Sequence, residues 1–243
     1  MTHTHEAPAR TGVNLTQFPA ACLTGENGGP VDWSDHRAAH RAVMRLFAPR
    51  LDGPPDQRRE RAGILYRVDV ATNGDGSPEA TVLVQSLVAP EVIPAVARTV
   101  EVSQRAWTPE PGERVAFRAS VNPVRRTTRY YSDTAKREVK PNPHDDQIGG
   151  RRLRTNTKQT ASVVPVAEIP VWLAERIGAA MRDIEIVSHN RDTTISGHHK
   201  VIVDTIDAVA NVADPAALDA VRRTGIGRAK AYGCGLLTIK RVG

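Results

Sequence analysis

A chain of 243 residues, 40% hydrophobic and 25% charged, has the length of one large domain or two small ones and a globular composition, neither disordered nor fibrous. It contains no run near the roughly 18 apolar residues a membrane helix needs, and no charged-then-apolar leader, so a cytoplasmic protein without membrane contact is expected. The formal charge of +6 is uneven: Arg114–Thr160 carries +8, Val221–Gly243 carries +6 and the remainder −8, which points to a polyanion held on one side.

Residues 1–12 lack an apolar period and read as a flexible tail. Asn14–Thr24 reads as a strand. After a Gly/Pro turn at 26–30, Asp32 or Ser34 caps a helix to about Phe47, with Ala39, Val43, Met44 and Phe47 as its apolar stripe and Pro49 as its stop. A charged loop over 52–61 leads to strands at Ile64–Ala71 and Thr81–Val88, joined by the turn signal NGDGSP. A Pro-bounded segment at 90–98 and a strand at Thr99–Gln104 complete the order strand, helix, strand, strand, weak helix, strand.

The same order then recurs. Arg114–Val121 alternates as a strand, and the basic polar run Asn122–Gln159 reads as a long functional or disordered loop. A helix spans Val166–Met181, regular from Pro170, with Val171, Leu173, Ala174 and Ile177 spaced to bury one face. Strands follow at Ile184–Ser188 and Lys200–Val209, Asp214 and Pro215 open a helix through Arg222, and the last strand covers Gly235–Lys240. The fold class expected is α+β, with two tandem ferredoxin-like (RRM-like, βαββαβ) domains at 13–108 and 109–243, joined by a linker around 105–112. Cys22 and Cys234 are too few and too distant for a disulfide framework or a Cys-rich zinc site.

The sharpest motif is GIGRAKAYGCGLL, residues 225–237. Gly225, Gly227, Gly233 and Gly235 let backbone approach a ligand and aim N–H groups at phosphate oxygens, while Arg228 and Lys230 add charge. It lies between a helix and a strand, and Lys230 takes the place of the third glycine of GxGxxG, which argues against a dinucleotide site and a small-molecule enzyme built on one. A tight turn alone accounts for the glycines but not for the paired cations.

This loop resembles the C-terminal glycine-rich loop of CRISPR-associated RNA-binding proteins built on ferredoxin-like folds. Three further stretches narrow the resemblance to the CasE family of repeat-cleaving endoribonucleases of type I-E systems. WSDHRAAHRAVMRLFAP (33–49) is similar to its first helix, VLVQSLVAP (82–90) to its Val-Leu-Val-Gln-Ser strand, and FRASVNPVRRT (117–127) to its Phe-Arg-x-x-x-Asn-Pro-x-Lys/Arg motif.

The resemblance implies metal-independent cleavage of the CRISPR precursor repeat hairpin, followed by retention of the crRNA within the Cascade complex alongside its other subunits. RNA carries its own nucleophile, the 2'-OH, so a proton-moving histidine and cations suffice, and no cofactor or metal is expected. The register of Leu46-Phe47 places the family's catalytic histidine at His40. His36, one turn earlier, shares its face at a zinc-like spacing, but no HExxH glutamate or third ligand accompanies the pair. Where the family often has a tyrosine three residues before the histidine, this chain has Arg37, which stabilises charge but donates no proton at neutral pH. The second proton-transfer group is open among Tyr130, Tyr131 and His36.

Arg125, Arg126, Arg129, Lys136, Arg137, Lys140, Arg151, Arg152, Arg154 and Lys158 have the charge to track an RNA stem, with Tyr130 and Tyr131 to stack on a base. Gly225, Gly227, Arg228, Lys230 and Gly233 complete the expected RNA-binding set. His189, His198 and His199 read as surface residues. The second reading is a catalytically weak or inactive repeat-binding subunit of the same complex.

Overall fold

The structure, a computed structural model, describes residues 13–72, 74–91, 101–104, 107–132, 137–139, 155–196 and 199–242, with backbone alone at 101–104, 127–132, 137–139, 155–159, 194–196 and 199–200. Each half of the chain forms a four-stranded sheet. In the first, β1 (Asn14–Pro19), β2 (Leu65–Thr72), β3 (Pro78–Ser86) and β4 (Glu101–Gln104) lie in the order β2-β3-β1-β4, every pair antiparallel. In the second, β5 (Arg114–Val121), β9 (Met181–Ser196), β10 (His199–Val212) and β11 (Leu237–Arg241) lie in the order β11-β5-β10-β9. Counted within its own half, each sheet has the order 4-1-3-2, the ferredoxin-like arrangement expected of this α+β chain. The weak helix expected at 90–98 lies, beyond Glu91, outside the described residues. Among the described residues, no helix is long and apolar enough to cross a membrane.

Helix α1 (His36–Arg45) begins where Asp35 accepts a hydrogen bond from the Arg37 backbone N–H at 2.9 Å. Its buried side, Ala39, Ala42 and Val43, continues into Leu46 and Phe47 and covers Phe18, Ile64, Tyr66, Val82 and Val84 of the first sheet. The strand period of two then sends Leu65, Arg67, Leu83 and Gln85 to the opposite face, which the second half covers. There Leu65, Leu83 and Leu236 form a separate apolar cluster joined by Leu15. Each such leucine contributes roughly 2 kcal/mol by burial. Polar bonds also cross this seam. Buried Gln85 Nε2 donates to Arg222 O at 2.7 Å, and Arg67 Nη1 donates to Thr238 Oγ1 at 2.7 Å.

In the second half, α3 (Ile169–Ile177) and α4 (Pro215–Thr224) cover one sheet face over Val115, Phe117, Ile206, Ala208 and Leu237. Asp214 caps α4 by accepting from the N–H groups of Ala216 and Ala217. The buried face of α3 is Ile169, Trp172, Leu173 and Ile177, whereas Val171 and Ala174, both expected inside, are exposed, Val171 at 59%. In the stretch IPVWLAERI almost every position is apolar, so its period fits two faces, and the large Trp172 takes the interior.

Three further elements differ from expectation. The first strand stops at Pro19, where Ala20–Cys22 turns as a 3-10 helix. Within the supposed charged loop, Arg58–Arg61 forms a short helix, α2. The basic run expected as a loop contains β6 (Val124–Ser132), β7 (Arg137–Val139) and β8 (Thr155–Val163), a third antiparallel sheet in the order β7-β6-β8. Main-chain pairing holds VRRTTRYYS against TNTKQTASV, and a strand pair without an apolar face leaves no alternation to read.

β9 and β10 run far beyond the expected strands, with register shifts between Asp207 and Ala208 and between Val209 and Asn211. This changes the standing of His189, expected on the surface. It lies on β9 beside Arg191, and both face Asp204 of β10, whose side chain is 0% exposed. Asp204 accepts from Arg191 Nε and Nη2 at 2.7 Å each and pairs with His189 Nε2 at 2.9 Å. His198 lies outside the described residues, as does the side chain of His199.

Candidate active site

Positions i and i+4 of a helix share a face, so α1 presents His36 and His40 together. His36 is buried and His40 half-buried. Against this helix comes the 3-10 turn Lys230–Tyr232 of the glycine-rich loop, contributed by the other half of the chain. The Tyr232 ring lies 5.9 Å from the His36 ring, tilted by 41°. From beneath, Tyr66 on β2 donates its hydroxyl proton to Ala231 O at 3.1 Å. The turn is thus held between helix and sheet of the first half.

Two glycines make this approach possible. Gly225 has φ +75°, and a Cβ there would meet Gly235 O and Leu65 Cδ1 at 2.9 Å. Gly233 has φ +79°, with Tyr66 Cε2 3.3 Å from where a Cβ would stand. Expected to bring backbone close to phosphate, they first bring it close to Leu65 and Tyr66. Tyr66→Phe removes the bond to Ala231 O and is expected to cost about 1 kcal/mol in urea unfolding. An unchanged midpoint would show that the bond does not hold the turn.

The electrostatics of the cluster are cationic. Arg59 on α2 donates from Nη1 to Ile64 O at 3.0 Å, and its charge acts on both His40 and Lys230. Burial, then Arg59 and Arg41, pull the His40 pKa below its ordinary value, and burial lowers that of His36 against the opposing charge of Asp35. Both imidazoles are therefore neutral at pH 7. His40 Nδ1 and His36 Nε2 are buried with no hydrogen-bond partner among the described residues. Burial and Arg59 likewise push Lys230 down.

A neutral buried histidine makes the fold acid-sensitive. The folded state resists protonation of His36 and His40, so their stability contribution is whole above the unfolded value of 6.5 and is lost as pH falls through their depressed values. Urea midpoints measured downward from pH 7.5 are expected to decline below pH 6.5, and His36→Gln to flatten the decline. A slope indifferent to that substitution would remove His36 from this role.

Beside the turn opens a cavity of about 390 Å³ lined by Arg126, Arg176, Arg228, Lys230, Trp172 and the backbone of Gly225–Gly227, with no carboxylate among the described residues of its lining. The Arg176 guanidinium stands 5.6 Å over the Trp172 ring. Of the other expected RNA contacts, Arg125 is held by Glu168 at 2.6 Å and Glu175 at 3.4 Å, both around α3. Arg129 and Lys158 occupy paired backbone positions of β6 and β8, and their side chains are not described. Arg137 lies on β7, and Lys136, Lys140, Arg151, Arg152 and Arg154 fall outside the described residues. Arg37 is exposed on α1, and the side chains of Tyr130 and Tyr131 are not described.

Sequence reasoning thus reached His40 and the glycine loop but missed Arg59, Tyr66, Tyr232 and Arg176. Tyr232 stands inside the quoted motif, whereas the others carry no local signal.

The sequence model of a family described as CRISPR associated protein matches residues 21–241. The Cascade subunit CasE of Escherichia coli K12 is 29% identical over 214 residues, covering 85% of this chain and 93% of that protein. Among solved structures, Thermus thermophilus Cse3 bound to an RNA representing a pre-cleavage complex aligns with TM-score 0.62 and 19% identity, over 94% of this chain and 99% of that one. The crystal structure of Escherichia coli K-12 Cas6e aligns with TM-score 0.55 and 20% identity, over 95% and 100%. With a match running from just after its first strand to its last, the chain belongs to the CRISPR-associated protein family and counts the Cascade subunit CasE among its relatives.

Proposed function

We propose that this protein is a metal-independent endoribonuclease that cleaves the repeat hairpin of CRISPR precursor RNA and stays bound to the crRNA as a subunit of a Cascade complex. The observation that carries the reading is the half-buried His40 on α1, its pKa held down by burial and by Arg59 and Arg41, on the helix against which a cationic turn from the other half of the chain packs. A neutral imidazole is the form that accepts the 2'-OH proton, and Arg59 and Lys230 supply positive charge where the phosphorane becomes more negative. Arg126, Arg228 and Lys230, around the cavity, bind the phosphates that lead into the site, and the strands β6–β8 extend this basic face along the stem. The relative named as a Cascade subunit and the solved relative bound to a pre-cleavage RNA support substrate and assembly alike.

A labelled repeat hairpin incubated with the protein in EDTA tests this. Cleavage at one position, leaving a 5'-hydroxyl and a 2',3'-cyclic phosphate, is expected, with affinity falling steeply as salt rises. No cleavage in EDTA with cleavage restored by a divalent cation would overturn metal independence, and a salt-insensitive affinity would overturn the RNA reading. One observation favours the second reading, a repeat-binding subunit with weak turnover: Arg37, which donates no proton at neutral pH, stands exposed one turn before His40. Tight, salt-sensitive binding without cleavage is its signature.

A further inference from the structure

Cleavage by 2'-OH attack needs a second proton transfer, because the departing 5'-oxygen leaves as an alkoxide unless a group protonates it. Given the ribonuclease reading above, on which this inference rests, His40 in its neutral form is the base and a separate acid is required. Arginines 37, 41 and 59 cannot serve, since a guanidinium keeps its proton. His36 is buried and held neutral, with Nε2 enclosed. The Tyr66 hydroxyl is buried and already donates to Ala231 O. Lys230 lines the cavity with Arg126, Arg176 and Arg228, which suits its ammonium to a non-bridging phosphate oxygen.

We propose that Tyr232, carried to α1 by the glycine-rich loop, is the general acid that protonates the leaving 5'-oxygen. Its ring stands against His36, one helical turn from His40, and the residue is only half-buried, leaving it surface to meet a bound substrate. Its backbone is fixed on both sides. The Tyr232 N–H donates to Ala229 O at 2.8 Å, Ala229 and Gly233 hold left-handed conformations at φ 55° and 79°, and Ala231 O is tied to Tyr66. In the step itself, His40 takes the 2'-OH proton as the 2'-O–P bond forms. The P–O5' bond breaks, and the Tyr232 phenol gives its proton to the 5'-oxygen. The phenolate then recovers a proton from the His40 imidazolium through solvent. Protons balance, and the products are a 2',3'-cyclic phosphate and a 5'-hydroxyl.

The test compares two repeat hairpins, one natural and one with sulfur replacing the bridging 5'-oxygen at the scissile phosphate. A thiolate leaves without help, its conjugate thiol being far more acidic than an alcohol. Tyr232→Phe keeps the ring against His36 and is expected to cleave the natural hairpin about 100-fold more slowly, to bind it unchanged, and to cleave the sulfur hairpin at the unaltered protein's rate. His40→Ala is expected to stay slow on both. Equal slowing of Tyr232→Phe on both hairpins would overturn the proposal and make Tyr232 a positioning residue, and no slowing on either would remove it from the chemistry. Rescue by sulfur of Lys230→Gln instead would assign the acid to Lys230. Absence of cleavage by the unaltered protein on either hairpin overturns the ribonuclease reading itself, a result distinct from the others.

Discussion

His40→Ala is expected to slow single-turnover cleavage of the repeat hairpin by roughly 10² to 10⁴-fold while leaving its affinity for that hairpin unchanged. The expectation follows from where the imidazole sits. Its Nδ1 is enclosed without a partner among the described residues, and burial with Arg59 and Arg41 keeps it neutral, so it contributes no charge to hold a phosphate and its removal costs binding little. It does hold the form needed to take a proton. Filter binding beside quenched cleavage separates the two quantities. If binding and cleavage fell together, His40 would be a binding residue, and if neither fell, the reacting atoms would lie elsewhere on the cationic face. His36→Ala is the companion measurement, since a catalytic loss as large there would move the base one turn along α1.

The second large effect concerns stability. Asp204→Ala leaves Arg191 and His189 facing an empty position inside the long β9–β10 hairpin, and removal of one partner from a buried ion pair costs about 3 to 5 kcal/mol. For a chain of this length, at about 2 to 4 °C per kcal/mol, that corresponds to a fall in Tm of roughly 6 to 20 °C. Arg191 is 21% exposed, which places the effect toward the lower end. The double variant Asp204→Leu with Arg191→Met removes both charges and is expected to regain most of the loss, because burying the ion pair carries its own desolvation cost. A fall of less than about 2 °C in Asp204→Ala would show that the cluster does not hold the hairpin together.

Much of the fold was legible because its signals are local. The α1 stripe of Ala39 and Val43, the cap and proline of α4, the Val-, Leu- and Tyr-rich runs of β2 and β3 and the alternation in β5 each sit within one element. β6 and β8 escaped because polar residues occupy both faces, so main-chain pairing holds strands that no apolar pattern announces. His189 was misread for a related reason. β9 continues past Ser188 through SHNRDTTIS, a largely exposed stretch in which only the cross-strand arrival of Asp204 draws His189 and Arg191 inward. In the candidate site, the register of Leu46-Phe47 supplied His40 and the motif supplied Lys230. That Arg59 and Tyr232 stand at the same helix depends on how the halves dock, which spacing along the chain does not encode.

That docking has a consequence for how the protein would fail. The histidine belongs to one half and the turn that faces it to the other, and among the described residues the contacts that join them include the Leu65, Leu83 and Leu236 cluster with Leu15, the Gln85–Arg222 and Arg67–Thr238 bonds, the Asp69–Arg118 ion pair and the Tyr66 hydroxyl. Each half keeps its own core on the far side of its sheet. Warming or mild denaturant that parts the seam therefore extinguishes the chemistry while helices and strands persist. On the proposed function, cleavage is expected to be lost before secondary structure, so that the working range is set by the grip between the parts rather than by the endurance of either one.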